Sequence, residues 1–316
     1  MSRTRNEPIN AGDASEVEPD WVYIAGTGRN GSTVLGMLLA QHSDVFFAGE
    51  LTHIWKRGFL ENQLCSCGRP FLSCDFWQSV ATDCLGDNPE ATLSEVTQLR
   101  DRVSTFANLP RLLLGQSHPT DHSLNYARIY RKLLISITRI SGCRVIVDSS
   151  KYPTDLAALL YANQAVRVIH LVRDCRAVVY SWRTSKKRPE IHWKDEDMPR
   201  YGPMQTAVAW RVFNSTIERL GSGKGSGYQV LRYEDFAADS EVHCRRLLDW
   251  IGLEHPFEQR KSTRCDHNFS GNPCRFQSGK LKVVSDERWR DGLSRTESRV
   301  VSLICGSMQR KYGYGD

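Results

Sequence analysis

The chain has 316 residues, a formal charge of +6 and ten cysteines. A charged fraction of 25% against a hydrophobic fraction of 40% is ordinary for a globular protein and excludes a collagenous, low-complexity or membrane-embedded chain. The mild basicity suits an anionic small ligand but falls short of a nucleic-acid footprint, so no nucleic-acid partner is expected.

Residues 1–20 are polar, include Pro8 and Pro19, and hold no apolar run that could serve as a signal peptide or membrane span. They read as a disordered arm ahead of one domain over 21–316. Without an export signal the expected location is the cytoplasm, where cysteines stay mostly as thiols. The composition leaves the oligomeric state open.

The apolar run 21–25 passes into Gly26-Thr27-Gly28-Arg29-Asn30-Gly31-Ser32-Thr33 and then into the helical stripe 34–40. This is strand, glycine loop, helix. Glycines let successive N–H groups curl inward, and the start of the helix adds a positive dipole end, so an anion is expected there. The spacing from Gly26 to Thr33 is that of a nucleotide phosphate loop, but Ser32 stands where an NTPase carries the lysine that reaches the β- and γ-phosphates. The nearest cation is Arg29. A short phosphate-like tail fits better than a triphosphate.

A second strand over 45–48 ends at Gly49-Glu50, which the doubly wound logic brings to the crevice beside the loop. Glu50 is therefore a candidate site carboxylate. Cys65, Cys67, Cys74 and Cys84 follow, interleaved with Phe71, Phe76 and Trp77. Two readings stand: a zinc site with weaker spacing than paired C-x-x-C knuckles, or thiols packed on aromatic rings. From 90 to 142 the texture is helical, with Tyr126, Ile129, Leu133, Leu134 and Ile137 as an apolar stripe.

A third strand over 143–147 runs into Asp148-Ser149-Ser150-Lys151, where Asp148 and Ser149 are placed to cap the next helix and Lys151 to serve the site. A buried strand over 166–172 delivers Arg173, with Asp174 as a helix-start residue and Ser181 about two turns on. Arg183, Lys186, Lys187 and Arg188 form a basic run, and a last strand covers 227–232.

Taken together, Gly26 to Thr33, Glu50, Lys151, and Arg173 with Ser181 resemble the sulfotransferases that use 3′-phosphoadenosine-5′-phosphosulfate (PAPS). In that family a K/R-x-G-T/S-T loop holds the 5′-phosphosulfate and R-D-x(6)-S holds the 3′-phosphate. Arg29 to Thr33 and Arg173 to Ser181 match both, with Asn30 for the usual serine and Cys175 for the usual proline. Tyr233-Glu234-Asp235 and the late segment 267–276 extend the likeness, and Cys74-Asp75-Phe76-Trp77 resembles bacterial and carbohydrate-type members.

The resemblance implies an α/β fold, a P-loop NTPase-like three-layer domain with a mainly parallel central sheet. It implies sulfuryl transfer from PAPS, leaving adenosine 3′,5′-bisphosphate, to a hydroxyl of a carbohydrate, lipid or small molecule. Glu50 is then the base, with Arg29 and Lys151 stabilising charge. Gly28, Arg29, Asn30, Gly31, Ser32, Thr33, Arg173, Ser181, Arg275 and Lys280 would contact the nucleotide, and no metal is expected in the chemistry. A P-loop kinase or NTPase, or a nucleotide-binding protein without chemistry, remains the alternative.

Overall fold

The computed structural model describes residues 20–115, 118–162, 165–223, 227–253, 267–277, 281 and 283–315. In chain order its strands and α-helices are β1 (Asp20–Gly26), α1 (Ser32–Leu39), β2 (Val45–Gly49), α2 (Asp75–Leu85), α3 (Pro89–Val103), α4 (Leu109–Leu114), α5 (Asp121–Ser141), β3 (Val145–Lys151), α6 (Pro153–Tyr161), β4 (Val166–Val172), α7 (Cys175–Arg183), α8 (Pro203–Gly221), β5 (Tyr228–Arg232), α9 (Tyr233–Ala238), α10 (Ser240–Ile251), α11 (Trp289–Gly292) and α12 (Arg295–Lys311). The five strands form one sheet in the order β2-β3-β1-β4-β5, and every pairing is parallel.

The unbroken apolar run of β1 follows from its central position. Side chains alternate across a strand, and both faces here are covered. Trp21, Tyr23 and Ala25 enter one core with α2, α3 and α5, whereas Val22 and Ile24 enter another with α1 and α10. The stripe expected on α5 is buried at each of its five positions. Among the described residues no helix is long and apolar enough to cross a membrane.

Two of the strand boundaries shift from the sequence reading in ways that bear on the site. Asp20, assigned to the arm, opens β1 and pairs with Val145, while its carboxylate takes Arg167 at 2.8 Å. β3 runs four residues past 147, to Lys151, so Asp148 and Ser149 lie within a strand and cap no helix. Asp148 is fully buried and accepts from Tyr130 at 2.6 Å and from the Ser150 amide at 2.8 Å. Burial pushes its carboxyl up to about 6 despite those bonds.

Because all strands are parallel, their C-terminal ends lie along one edge, and the loops after β1, β2, β3 and β4 converge there. Gly49 closes β2 at φ +90 against the chain at Phe269, whose carbonyl oxygen would lie 2.1 Å from a Cβ at that position. Phe269 donates to the Ala48 carbonyl and accepts from the Glu50 amide, at 2.9 and 2.8 Å. A segment from far along the sequence thus fixes the backbone of Glu50.

Candidate functional site

The edge opens into a cleft of about 1690 Å³, lined by the loop after β1, by Glu50, His53 and Arg57 after β2, and by Lys151 and Tyr152. Arg173, Ser181 and Trp182 from β4 and α7, Tyr233 from α9, and Gly271 and Asn272 complete this wall. Gly31 takes φ +96 at the N-cap of α1 and offers no side-chain cap of its own, and the positive end of the helix suits an anion entering the cleft. A Cβ on Gly31 would come within 2.4 Å of the Tyr233 ring, so glycine is required for packing as well as for the turn.

Arg29 lies in this loop at φ 69, with its guanidinium 4.6 Å over the Trp182 ring. Its Nε, Nη1 and Nη2 are shut off from solvent and bond to no protein acceptor. Burial lowers its pKa, and the charge of Glu50 opposes that shift. A buried guanidinium normally finds acceptors in the protein, so three unmatched nitrogens beside a helix N-terminus are built for an anion.

Arg173 is buried and stacks 4.7 Å over Tyr233. One nitrogen donates to the Arg29 carbonyl at 3.0 Å, holding the loop, while its Nε has no partner. Ser181 lines the same cleft as Arg173. Asp174 caps α7 by accepting from the Arg176 amide at 2.8 Å, and Glu234 steadies the turn by accepting from the Asp174 amide at 3.1 Å. The Tyr-Glu-Asp segment therefore acts as a brace for the Arg173 turn.

Glu50 forms an ion pair with Lys151 through Oε1, and Oε2 lies 3.5 Å from His53 Nε2. Lys151 also donates to the Ser149 carbonyl at 2.8 Å and adopts φ 72, an unusual backbone state for lysine. His53, which the sequence reading missed, is held well below its ordinary pKa by burial and by the nearby charges of Arg57, Arg100, Lys151 and Arg188. Both effects favour the neutral imidazole.

Some of the expected nucleotide contacts already have partners within the protein. The Asn30 side chain turns inward, donating to the Leu171 carbonyl at 2.9 Å and accepting from the Ser32 amide at 3.2 Å, and so serves as a loop brace. Thr33 lines the cleft but its hydroxyl accepts from the Asn272 amide at 3.1 Å. Arg275 is buried away from the cleft, donating to the Asn268 and Leu64 carbonyls at 3.2 and 3.0 Å. Lys280 lies outside the described residues. Gly28 and Ser32 do line the cleft.

The basic run divides by direction. Lys186 and Arg188 line the cleft, whereas Arg183 pairs with Glu297, and Lys187 pairs with Asp195 and Asp197, on the surface. Burial and the neighbouring charges of Arg29, Arg173 and Arg288 lower the Lys186 pKa. That crowding of cations around one cleft again suits a ligand of several negative charges.

No family model matches the chain. It is 22% identical over 338 aligned positions to carbohydrate sulfotransferase 1 of Danio rerio, covering 93% of this chain and 77% of that protein. It is 24% identical to carbohydrate sulfotransferase 4 of Mus musculus, covering 75% of this chain and 66% of that one. For carbohydrate sulfotransferase 2 of Mus musculus the identity is 24%, with 93% and 64% covered, so the chain spans about two thirds of the length of two of these relatives. Among solved structures, the sulfotransferase domain of the Synechococcus PCC 7002 olefin synthase aligns with 91% of this chain and 95% of its own at 18% identity, with a TM-score of 0.48. Sulfotransferase STF9 from Mycobacterium avium aligns with 94% and 77% at 12% identity, with a TM-score of 0.47.

Proposed function

We propose, from its kinship with the sulfotransferases, that this chain is an enzyme that takes a sulfuryl group from PAPS and places it on an acceptor hydroxyl. The observation that carries the reading is Arg29, whose three buried guanidinium nitrogens bond to no protein acceptor beside the start of α1. The kinase alternative lacks the loop lysine, since Ser32 occupies its place.

In this reading PAPS supplies the activated sulfuryl group. Arg29, the loop amides and the α1 N-terminus hold its phosphosulfate end as donors already in place, which is the form of electrostatic stabilisation that costs no reorganisation. The acceptor hydroxyl must lose a proton, and Glu50, which lines the cleft beside Lys151, is assigned to take it. Lys151 orients that carboxylate through their ion pair. Arg173 and Ser181 hold the 3′-phosphate.

The 3′-phosphate assignment is tested by titration calorimetry of adenosine 3′,5′-bisphosphate and AMP against the wild type and Arg173→Ala. A charge-assisted contact is worth about 1.5–3 kcal/mol, so the bisphosphate should weaken by about 10- to 150-fold while AMP scarcely changes. Because Arg173 also holds the Arg29 carbonyl, equal losses for both nucleotides would mean that it serves the loop alone.

The far wall of the cleft is apolar, with Phe106, Leu109, Leu113, Met204, Val208 and Phe213. Phe106 and Met204 are 66% and 64% exposed at its rim. An acceptor whose hydroxyl is attached to an apolar body would cover them. Across a series of straight-chain alcohols, kcat/KM should rise by up to about fourfold per methylene until the wall is covered, from about 0.8 kcal/mol for each buried CH₂. A flat series would remove the apolar wall from acceptor recognition.

A further inference from the structure

We infer that Cys65, Cys67, Cys74 and His267 form a structural zinc site. The three sulfurs and a ring nitrogen all lie within 4.8 Å of one another. Zinc bound tetrahedrally at about 2.3 Å from sulfur and 2.0–2.1 Å from nitrogen sets ligand-to-ligand edges of roughly 3.8 Å for S–S and 3.6 Å for S–N. Cys67 Sγ to Cys74 Sγ is 3.7 Å, Cys65 Sγ to His267 Nδ1 is 3.8 Å, and Cys74 Sγ to His267 Nδ1 is 3.2 Å. These separations therefore match the edges of one coordination tetrahedron.

Local structure supplies the geometry. The Cys65 amide donates to the Arg69 carbonyl and the Gly68 amide to the Cys65 carbonyl, both at 2.9 Å, so a tight loop presents two thiols to one side. Cys74 stands at the N-cap of α2, where the dipole favours a thiolate. The His267 ring is stacked on Phe76 at 5.0 Å and 11°, which fixes its plane. Cys84, the fourth cysteine of the sequence cluster, is buried on α2 outside the group, and burial pushes its thiol up to about 12. Sequence spacing pointed to the wrong fourth ligand, because the histidine comes from a segment 193 residues beyond Cys74.

Four protein ligands leave no open position, so the metal would be structural. Its effect would be to fasten the cysteine loop to the segment that registers Glu50. Next to His267, the Asn268 carbonyl accepts from the Ser66 amide at 3.2 Å, and Phe269 bonds to Ala48 and Glu50. The thiols must lose protons on binding, so zinc should be released on acidification.

The test is metal content by mass spectrometry on full-length protein purified under reducing conditions with zinc in the medium, together with cobalt(II) exchange. About one zinc per chain is expected, with the sulfur-to-cobalt charge-transfer and intense visible bands of a tetrahedral thiolate site. Cys67→Ser, at the half-buried ligand, should lose at least about tenfold in zinc affinity, while Cys84→Ser keeps full occupancy. The cobalt spectrum is read on the unaltered chain, so it stands even if a variant fails to fold. Less than about one zinc in ten chains with no tetrahedral cobalt spectrum, or a Cys67–Cys74 disulfide in fresh protein, would overturn the proposal.

Discussion

Glu50→Gln should lower kcat by about 10²- to 10⁴-fold while nucleotide affinity changes by less than about twofold. Glutamine keeps the shape of the side chain and an acceptor for Lys151, but it cannot take a proton. Lys151 is buried, so the substitution also removes the partner of a buried ammonium. Thermal unfolding should be measured alongside, because breaking such a pair can cost 3–5 kcal/mol in stability. The rival base is His53, whose Nε2 faces the same carboxylate. Its lowered pKa keeps it free of a proton but makes it a weak base. Wild-type turnover in Glu50→Gln, with chemistry limiting the rate, together with its loss in His53→Gln, would transfer the role to the histidine.

Arg29→Ala should cost about 10²- to 10³-fold in kcat/KM, the range found when one preorganised oxyanion donor is deleted. The same substitution should leave the melting temperature of the nucleotide-free protein unchanged or raise it. The side chain keeps a desolvated charge, and among the described residues it stacks on Trp182 without a hydrogen-bond acceptor for its guanidinium. Arg29→Lys should recover only part of the activity, since an ammonium offers neither the planar stack nor the fork. A drop in stability with kcat/KM intact would make Arg29 a packing residue and remove the main support for anion binding.

How far the sequence could be read depended on whether a residue's partners were local. β1 and β4 were legible because strands covered on both faces become uninterrupted apolar runs. The end of β3 was not, because Asp148 to Lys151 look like a polar loop. Their burial is supported by Tyr130 on α5 and by the amide of Leu51 after β2, and no local pattern reports such partners.

The loop after β1, Glu50 and Arg173 were legible for a different reason. The parallel topology sends strand ends to one edge, so a polar residue just beyond a strand is a good candidate for the cleft. Arg275 fails that logic, since it sits in a short 3₁₀ helix, not at the end of a sheet strand, and its two terminal nitrogens donate to the carbonyls of Asn268 and Leu64. In the basic run, Arg183 and Lys187 pair with acids on the surface, whereas Arg188 pairs with Glu190 and Glu196 at the cleft wall, a division that only the folded chain makes.

The bond between the Glu50 amide and the Phe269 carbonyl also sets an order of events during synthesis. All five strands have been made once Arg232 has left the ribosome, whereas the group that registers the carboxylate arrives later still. At about 5–20 residues per second, the stretch from Arg232 to Phe269 takes roughly two to seven seconds to follow. A nascent chain can therefore assemble its sheet while its acid is still unplaced, and transfer competence arrives late in translation, after the sheet that supports it.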